Sequence, residues 1–559
     1  MKTLRAVVLA GALRAAVIGV AALGVAAVPA TAQEVVTIDG VEATRVVIAP
    51  PHSELARIIK QGLRGNYLEA NTTSRSFAEA QKLYFFYGER GFEPLWLSED
   101  NDGQVRFSEG AAEIVSVFEN AHLSGLRPGD YLTDDIDFGF DTSDPAKLAS
   151  LETAFSAAVL RYANDAHSGR IAPSAVSSSI SLQPDRLDQS ELLPELADAA
   201  NPGRILADLE PQNREYQTLK AELARFYDGT RTEAEKVPDG KLIKLGYRDD
   251  RVPLLRERLD LPAVSGDREA SALYDETLVG AVKQFQTDVG LWDDGVIGPA
   301  TIAALNGGNA TSKADLIANL ERWRWMPRDL GSFHVFVNVP EFRLQVRQAD
   351  REEFATRVVV GTPTNQTPIF SDEIEHIVVN PYWNVPVSIA TNEIGPILAS
   401  DPDYIPNHNM EVLANGRVVD PYMVDWASAN LRSVRIRQRP GGGNALGNIK
   451  FLFPNQHSVY LHDTPSKSLF DRTMRAFSHG CVRVQDPMAF ANALIRYEPR
   501  IDIAMIESMV GGGEKWLNVE SHVPVHIAYF TLRVDAQGTI RSFGDIYGHN
   551  RKLIELLGE

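Results

Sequence analysis

At Phe333 the chain changes texture. Upstream, from Phe77 to about Tyr227, apolar residues recur at three- and four-residue spacing, as in AKLASLETAFSAAVLRYANDA and REYQTLKAELARFYDG. That period predicts amphipathic helices. Downstream stand FHVFVNVPEFRLQV, TRVVVG, EHIVVNPYWNVP, SVYLHD and CVRV, short β-branched and aromatic runs between turns, which predict strands. A chain of 559 residues with both textures is expected to be a multidomain α+β protein. The expected parts are an N-terminal arm (33–74), a helical scaffold domain (75–235), a small three-helix domain (240–310) and a mainly-β domain (325–559). TRTEAEKVPDGK reads as the linker before the small domain, and VPVHIAYFTLRVDAQGTIRSFGDIYG as a hairpin with Ala536, Gln537 and Gly538 at its tip. Between NVPVSIA and QRPGGGNALG lies an insertion over about 388–440, too long for an ordinary connection and expected to be a lid.

The first 32 residues read as a secretory signal peptide. Lys2, Arg5 and Arg14 precede an apolar run from Ala15 to Val28, and Ala30-Thr31-Ala32 is a small-x-small cleavage site. The run is shorter than the ~20 residues a spanning helix needs, so stable membrane insertion after cleavage is not expected. The formal charge of −19 becomes −22 once those three cations leave, which argues against non-specific nucleic-acid binding. The expected location is outside the cytoplasmic membrane, and the chain, with Cys481 alone, can form no internal disulfide. A lone exported cysteine is a reactive thiol, one half of an intermolecular bond, or a buried inert residue.

The small domain reads as helix, loop, helix, a tight DDGVIG turn and a short helix opened by Pro299, with Val279, Val282, Phe285 and Gln286 at helical spacing. Its AVKQFQTDVGLWDDGVIGPATIAALN closely resembles the peptidoglycan-binding module of bacterial wall enzymes: the FQ, the GL, the DGxxGPxT and the terminal ALN are all present. The resemblance implies a wall-associated protein, with the module either binding glycan or serving as a spacer.

Cys481 stands in AFSHGCVRVQDP, with His479 two residues before it and His462 at the end of SVYLHD. A thiol needs a base to become a nucleophile, and either histidine is a candidate on these grounds. YLHDTP followed by SHGCVRV closely resembles the signature of L,D-transpeptidases, cysteine enzymes that crosslink peptidoglycan; VVVGTPTNQTPIF and NPYWNVP fit as well. The order of scaffold, wall-binding module and catalytic domain with a long insertion resembles the large periplasmic members of that family.

The resemblance implies roles. Cys481 attacks the peptide carbonyl; His462 is general base and then general acid. Tyr460 lies beside the oxyanion site, and the amides around Gly480 and Cys481 hold developing charge. Arg483 alternates with Cys481 on one strand face, where it pairs with a substrate carboxylate, orients the loop, or forms a structural salt bridge. Ser478 hydrogen-bonds the histidine or the loop backbone. Trp383 lines the donor cleft or packs in a core, and His479 is read as a structural loop residue.

RPGGGNALG lacks the Gly-Lys-Ser/Thr of a phosphate cradle and is read as a mobile loop near the cleft, able to act as the lid's hinge; no nucleotide is expected. His522 and His526 share a strand face, but HExxH is absent and no cysteine pair exists, so neither metal nor other cofactor is expected. The reaction implied is 3→3 crosslinking between donor and acceptor stem peptides of peptidoglycan through a cysteine thioester, with release of D-alanine. Alternatives are attachment of stems to a lysine of an outer-membrane protein, L,D-carboxypeptidase activity, or a non-catalytic peptidoglycan-binding protein. Wall synthases are candidate partners, and the compartment implied is the periplasm.

Overall fold

The computed structural model describes residues 48–69, 75–99, 104–264, 268–289, 291–307, 310–349 and 351–559. The expected signal peptide lies outside them. The described residues form two compact units: those from Ile48 to Leu95 with Thr142–Thr153, and those of Trp96–Asp141 with Ala154–Glu559.

In the first unit the arm expected over 33–74 holds a helix instead, Glu54–Glu69. Ala56, Ile59 and Leu63 are buried, an i, i+3, i+7 stripe, and the Ala56 amide donates to Ser53 Oγ at 3.0 Å to start the helix. Arg57, Lys60 and Arg64 interrupt that stripe in the sequence, which is why the segment reads as mixed in character.

In the second unit the scaffold is helical as expected. Its helix Arg214–Tyr227 begins where Asn213 Oδ1 accepts from the Tyr216 amide at 2.9 Å, and it buries Tyr216, Leu219 and Leu223. Glu215 on this helix grips Arg533 of the C-terminal hairpin with both oxygens, at 2.7 Å each, and accepts the Val534 amide. Desolvating both charges nearly offsets their attraction, so the pair fixes orientation more than it stabilises. Breaking one side alone would leave a buried charge and cost about 3–5 kcal/mol. The helix Lys313–Trp325 follows, buried on all sides. Its Asn319 accepts the amides of Thr531 and Leu532 at 3.1 Å each, and Arg322 donates to Asn550 at 2.7 Å.

The small domain has helices Val252–Arg258, Glu276–Asp288 and Pro299–Leu305, the last with proline in its first turn, plus a short turn of helix at Arg268–Ser271. Val252, Leu255, Leu278, Val282 and Ile302 form its core. Gln286 explains the FQ and DGxxGPxT pairing. Its amide donates to Asp294, Val296 and Thr301, each at 3.1 Å, and accepts from the Gly295 amide at 2.8 Å. Gly295 has φ +69°, which a side chain would strain.

In the β domain the strands are β1 (Phe333–Asn338), β2 (Arg343–Gln348), β3 (Arg351–Gly361), β4 (Phe370–Val379), β5 (Ile449–Leu452), β6 (Leu461–His462), β7 (Ala476–Ser478), β8 (Val482–Val484) and β9 (Lys515–Ala528). They form one sheet in the order β7-β3-β8-β6-β5-β4-β9-β1-β2, and β2 also pairs with β3. Eight strands therefore close into a ring with β7 appended, which protects the edges that an open sheet would expose. Inside are Val358, Val360, Ile377, Val379, Ile449, Phe451, Leu461, Val482 and Val484. Their alternation with outward residues locks the register, because a one-residue slip would turn the apolar set to the outside. Full burial of each such side chain is worth roughly 1.5–3 kcal/mol.

The insertion is a folded subdomain. Strands Met410–Ala414, Arg417–Val419 and Val434–Gln438 form a sheet with Trp383–Asn384. Helical turns from Val387 to Asn407 cover it, and Ile394, Leu398, Ile405, Val412 and Ile436 make its own core. It therefore starts at Trp383, five residues before the expected boundary. In RPGGGNALG the glycines Gly441, Gly442 and Gly443 are exposed, and the segment after them is anchored. Asn444 is buried and donates to the carbonyls of Pro381, Gln438 and Arg439, while Gln438 Oε1 accepts the Ala445 amide at 2.8 Å.

Candidate active site

The ring's outer face carries the site. Strand β6 runs parallel to β8 with Leu461 opposite Val482 and His462 opposite Arg483. Leu461 and Val482 point into the core, so Tyr460, His462, Cys481 and Arg483 must project outward together. The Val482 amide donates to the Tyr460 carbonyl at 3.2 Å, which sets Tyr460 beside Cys481. Two short strands with alternating residues thus bring four of the candidate residues into one cluster.

Cys481 is partly exposed. Burial pushes its thiol above the ordinary 9.0, against the pull of hydrogen bonds from the Tyr460 backbone and hydroxyl and of the Arg483 charge. Tyr460 keeps its proton: burial first, then the neighbouring sulfur, raise its pKa. The tyrosine thus stays protonated beside the sulfur.

His462 is 4% exposed. Its Nδ1 is bonded to the Asp463 carbonyl, and a carbonyl can only accept, so Nδ1 carries the hydrogen and Nε2 presents a lone pair. Burial, then the charges of Arg483 and Lys450, hold its pKa down to about 3. Both shifts favour thiol and neutral imidazole over thiolate and imidazolium. Alkylation of Cys481 by iodoacetamide is expected to be slow at neutral pH and to rise about tenfold per pH unit through pH ~7–9. A rate already level below neutrality would show a resting ion pair.

The turn before Cys481 is held by Ser478, which is buried. Its hydroxyl donates to the Cys481 carbonyl and accepts the Gly480 amide at 3.2 Å. Ser478 therefore serves the loop backbone and not the histidine. The Gly480 amide, expected to face developing charge, is occupied by this bond; the Cys481 amide has no such partner among the described residues. Gly480 has φ +112°, a conformation only glycine adopts without strain.

Thr367 braces the turn from behind. Its hydroxyl donates to the Gly480 carbonyl and accepts the Gly361 amide, both at 2.8 Å, while Tyr547 donates to the Gly361 carbonyl at 2.7 Å. The scaffold reaches the same loop, with Ile180 bridging Ile369 and Ser179 Oγ donating to Gln366 at 2.9 Å. Thr367 and Gln366 lie in VVVGTPTNQTPIF, whose residues carried no individual assignment, because only tertiary structure shows which hydroxyl turns inward.

Arg483 makes no salt bridge with the described residues, and its Nε is buried without a partner among them. This disfavours the structural ion-pair reading. His479 is exposed and meets Glu393 of the insertion at 2.9 Å. Trp383 packs against the insertion's own core, opposite Gln438, so the packing alternative describes it better than the cleft. His526 bonds Ser371 and the Leu330 carbonyl, apart from this cluster, and His522 lies 3.4 Å from Glu373.

Three family models match the chain. They are described as "Scaffold domain" (81–223), "Putative peptidoglycan binding domain" (240–305) and "L,D-transpeptidase catalytic domain" (332–501). Residues 332–501 thus carry the match to an L,D-transpeptidase catalytic domain. A Haemophilus influenzae protein named "Putative L,D-transpeptidase" is 36% identical over 259 residues, 46% of this chain and 51% of the relative. The chain thus matches about half the length of that relative. Similar solved structures include an L,D-transpeptidase from Mycobacterium smegmatis (14% identity, 35% of this chain and 58% of that one, TM-score 0.18). Another is the L,D-transpeptidase of Xylanimonas cellulosilytica (16% identity, 53% and 100%, TM-score 0.16). Among the described residues no helix is long and apolar enough to cross a membrane.

Proposed function

We propose that this chain forms 3→3 crosslinks in peptidoglycan through a thioester on Cys481. The observation that carries the reading is the outward cluster of Cys481, Tyr460, His462 and Arg483 on two paired strands. Cys481 Sγ attacks the carbonyl of the third stem residue as His462 Nε2 takes the thiol proton. The Cys481 amide faces the developing oxyanion, and the Tyr460 hydroxyl steadies the sulfur. The C–N bond breaks, His462 gives its proton to the departing amine of D-alanine, and a thioester remains. A side-chain amine of a second stem then attacks, His462 Nε2 takes a proton from that nitrogen, the C–S bond breaks as the amide of the crosslink forms, and the proton returns to the Cys481 sulfur. With a base held near pKa 3, proton transfer has to accompany attack rather than precede it.

The wall location of this chemistry is part of the proposal, as is the export of the chain. Purified disaccharide-tetrapeptides incubated with the protein should give a dimer lighter than two monomers by one D-alanine, read by mass spectrometry. Tripeptide alone would indicate a carboxypeptidase, and no new product would remove the enzyme reading.

The insertion is proposed as a lid that keeps water from the thioester. Its Glu393 touches His479 on the nucleophile's own turn. Both groups are exposed, so the contact is worth at most about 1 kcal/mol, enough to register a lid and too little to lock it. Replacing residues from Ser388 to Arg439 by a short Gly/Ser turn should shift product from dimer toward hydrolysed tripeptide, with circular dichroism confirming the remaining fold. An unchanged ratio at unchanged turnover would assign the insertion to a partner surface.

A further inference from the structure

One cation on the outer face acts above only through its charge on His462 and is given no ligand there. Lys450 on β5 pairs in register with His462, as Arg483 does from the other side. On its far side Lys450 pairs with Val378, which pairs with Trp516. Its neighbours Ile449 and Phe451 point into the core, so Lys450 points outward with the site. The row across the sheet is therefore Trp516, Val378, Lys450, His462, Arg483.

Lys450 is only 7% exposed. Its Nζ lies 5.7 Å from the centre of the Tyr460 ring and 5.5 Å from that of Trp516. Neither a salt bridge nor a hydrogen bond holds it among the described residues; burial lowers its pKa, with the Glu514 charge as the counterweight. Two rings attract an ammonium, but by less than its burial costs. An apolar side chain would fill the same space without that cost. A buried cation with no hydrogen bond or contact ion pair among the described residues, and only the more distant Glu514 charge to balance it, is a place for an anion beside Tyr460 and the half-exposed Trp516.

The proposed reaction brings one anion to that side. His462 protonates the departing amine, and in the departing amino acid the nitrogen and the carboxylate sit on the same carbon. With the nitrogen at His462, the carboxylate reaches a flanking strand. Arg483 lies on the strand of Cys481 itself, on the acyl side, whereas Lys450 lies on the opposite flank. Resting on the crosslinking reading, we propose that Lys450 binds the terminal carboxylate of the donor stem and makes the enzyme select a free C-terminal acid. A carboxylate arriving there would also offset one of the two charges that depress His462, so binding of a correct donor would strengthen the base it needs.

The test compares tetrapeptide donors ending in D-alanine with the same peptides ending in D-alaninamide, using the full chain, a fixed acceptor and dimer yield by chromatography. Wild type should favour the acid. Lys450→Met should lower kcat/KM for the acid by about 10- to 100-fold, as expected for loss of a hydrogen bond to a charged group, and bring the acid-to-amide ratio toward unity. Lys450→Arg should keep the preference, which a merely structural role would not predict. Melting curves would identify a variant that fails to fold, and the Arg variant then decides. Donors amidated instead at the free carboxylates of the second and third residues identify which carboxylate is read. The proposal is overturned if wild type turns over acid and amide alike. It is equally overturned if Lys450→Met leaves the ratio unchanged, if Arg483→Met alone abolishes it, or if one of the other carboxylates proves to be the one sensed. Turnover of neither donor would remove the crosslinking reading as well.

Discussion

Cys481→Ala is expected to abolish acyl transfer and leave the fold in place. The side chain points away from the ring's core, and Val482 and Leu461 carry the packing of the two strands. Removing one sulfur from the outer face leaves no core cavity, so the melting temperature should hardly move. No second thiol can take over the chemistry, because Cys481 is the chain's sole cysteine. Turnover should fall by about 10⁴-fold or more, as when a covalent nucleophile is removed elsewhere. Dimer yield by chromatography is the readout; crosslinking retained within tenfold would show that the thiol is not the acyl carrier.

His462→Ala should lower the acylation rate by about 10²- to 10⁴-fold, the usual worth of general acid–base help. Nδ1 is committed to the Asp463 carbonyl, and this bond both fixes the tautomer and orients Nε2. His479→Ala should lose far less, because that ring is exposed and faces Glu393. Single-turnover acylation by a carbapenem, which resembles an acyl donor to this family, separates the two. A larger loss from His479 would reverse their assignments.

The cluster was legible because strands alternate. In SVYLHD and CVRV the apolar residues fall at every second position, so the polar ones between them have to share the opposite face. What periodicity cannot express is which strand lies beside which. Lys450 in IKFLF reads as an ordinary outward residue, and only the pairing of β5 with β6 sets it next to His462. The helix Lys313–Trp325 shows no helical period for a different reason. It buries Glu321, Arg322 and Arg324 along with its apolar residues, so no polar face remains to reveal a helical period. Gly480 was recognisable as a permissive residue, but its amide is engaged by Ser478, and a hydroxyl can bond in either direction until a fold chooses. The insertion was visible by length alone; its sheet depends on Trp383 pairing with Gln438 across some fifty residues, a contact no local pattern encodes.

Intact-protein mass spectrometry during turnover of a tetrapeptide donor, quenched in acid without added thiol, tests the central claim most directly. The account predicts a mass increase equal to the donor less D-alanine, mapped by peptide analysis to Cys481 and discharged when an acceptor stem is added. The same adduct on Cys481→Ala, or turnover by wild type with the thiol free of any acyl group, would contradict it.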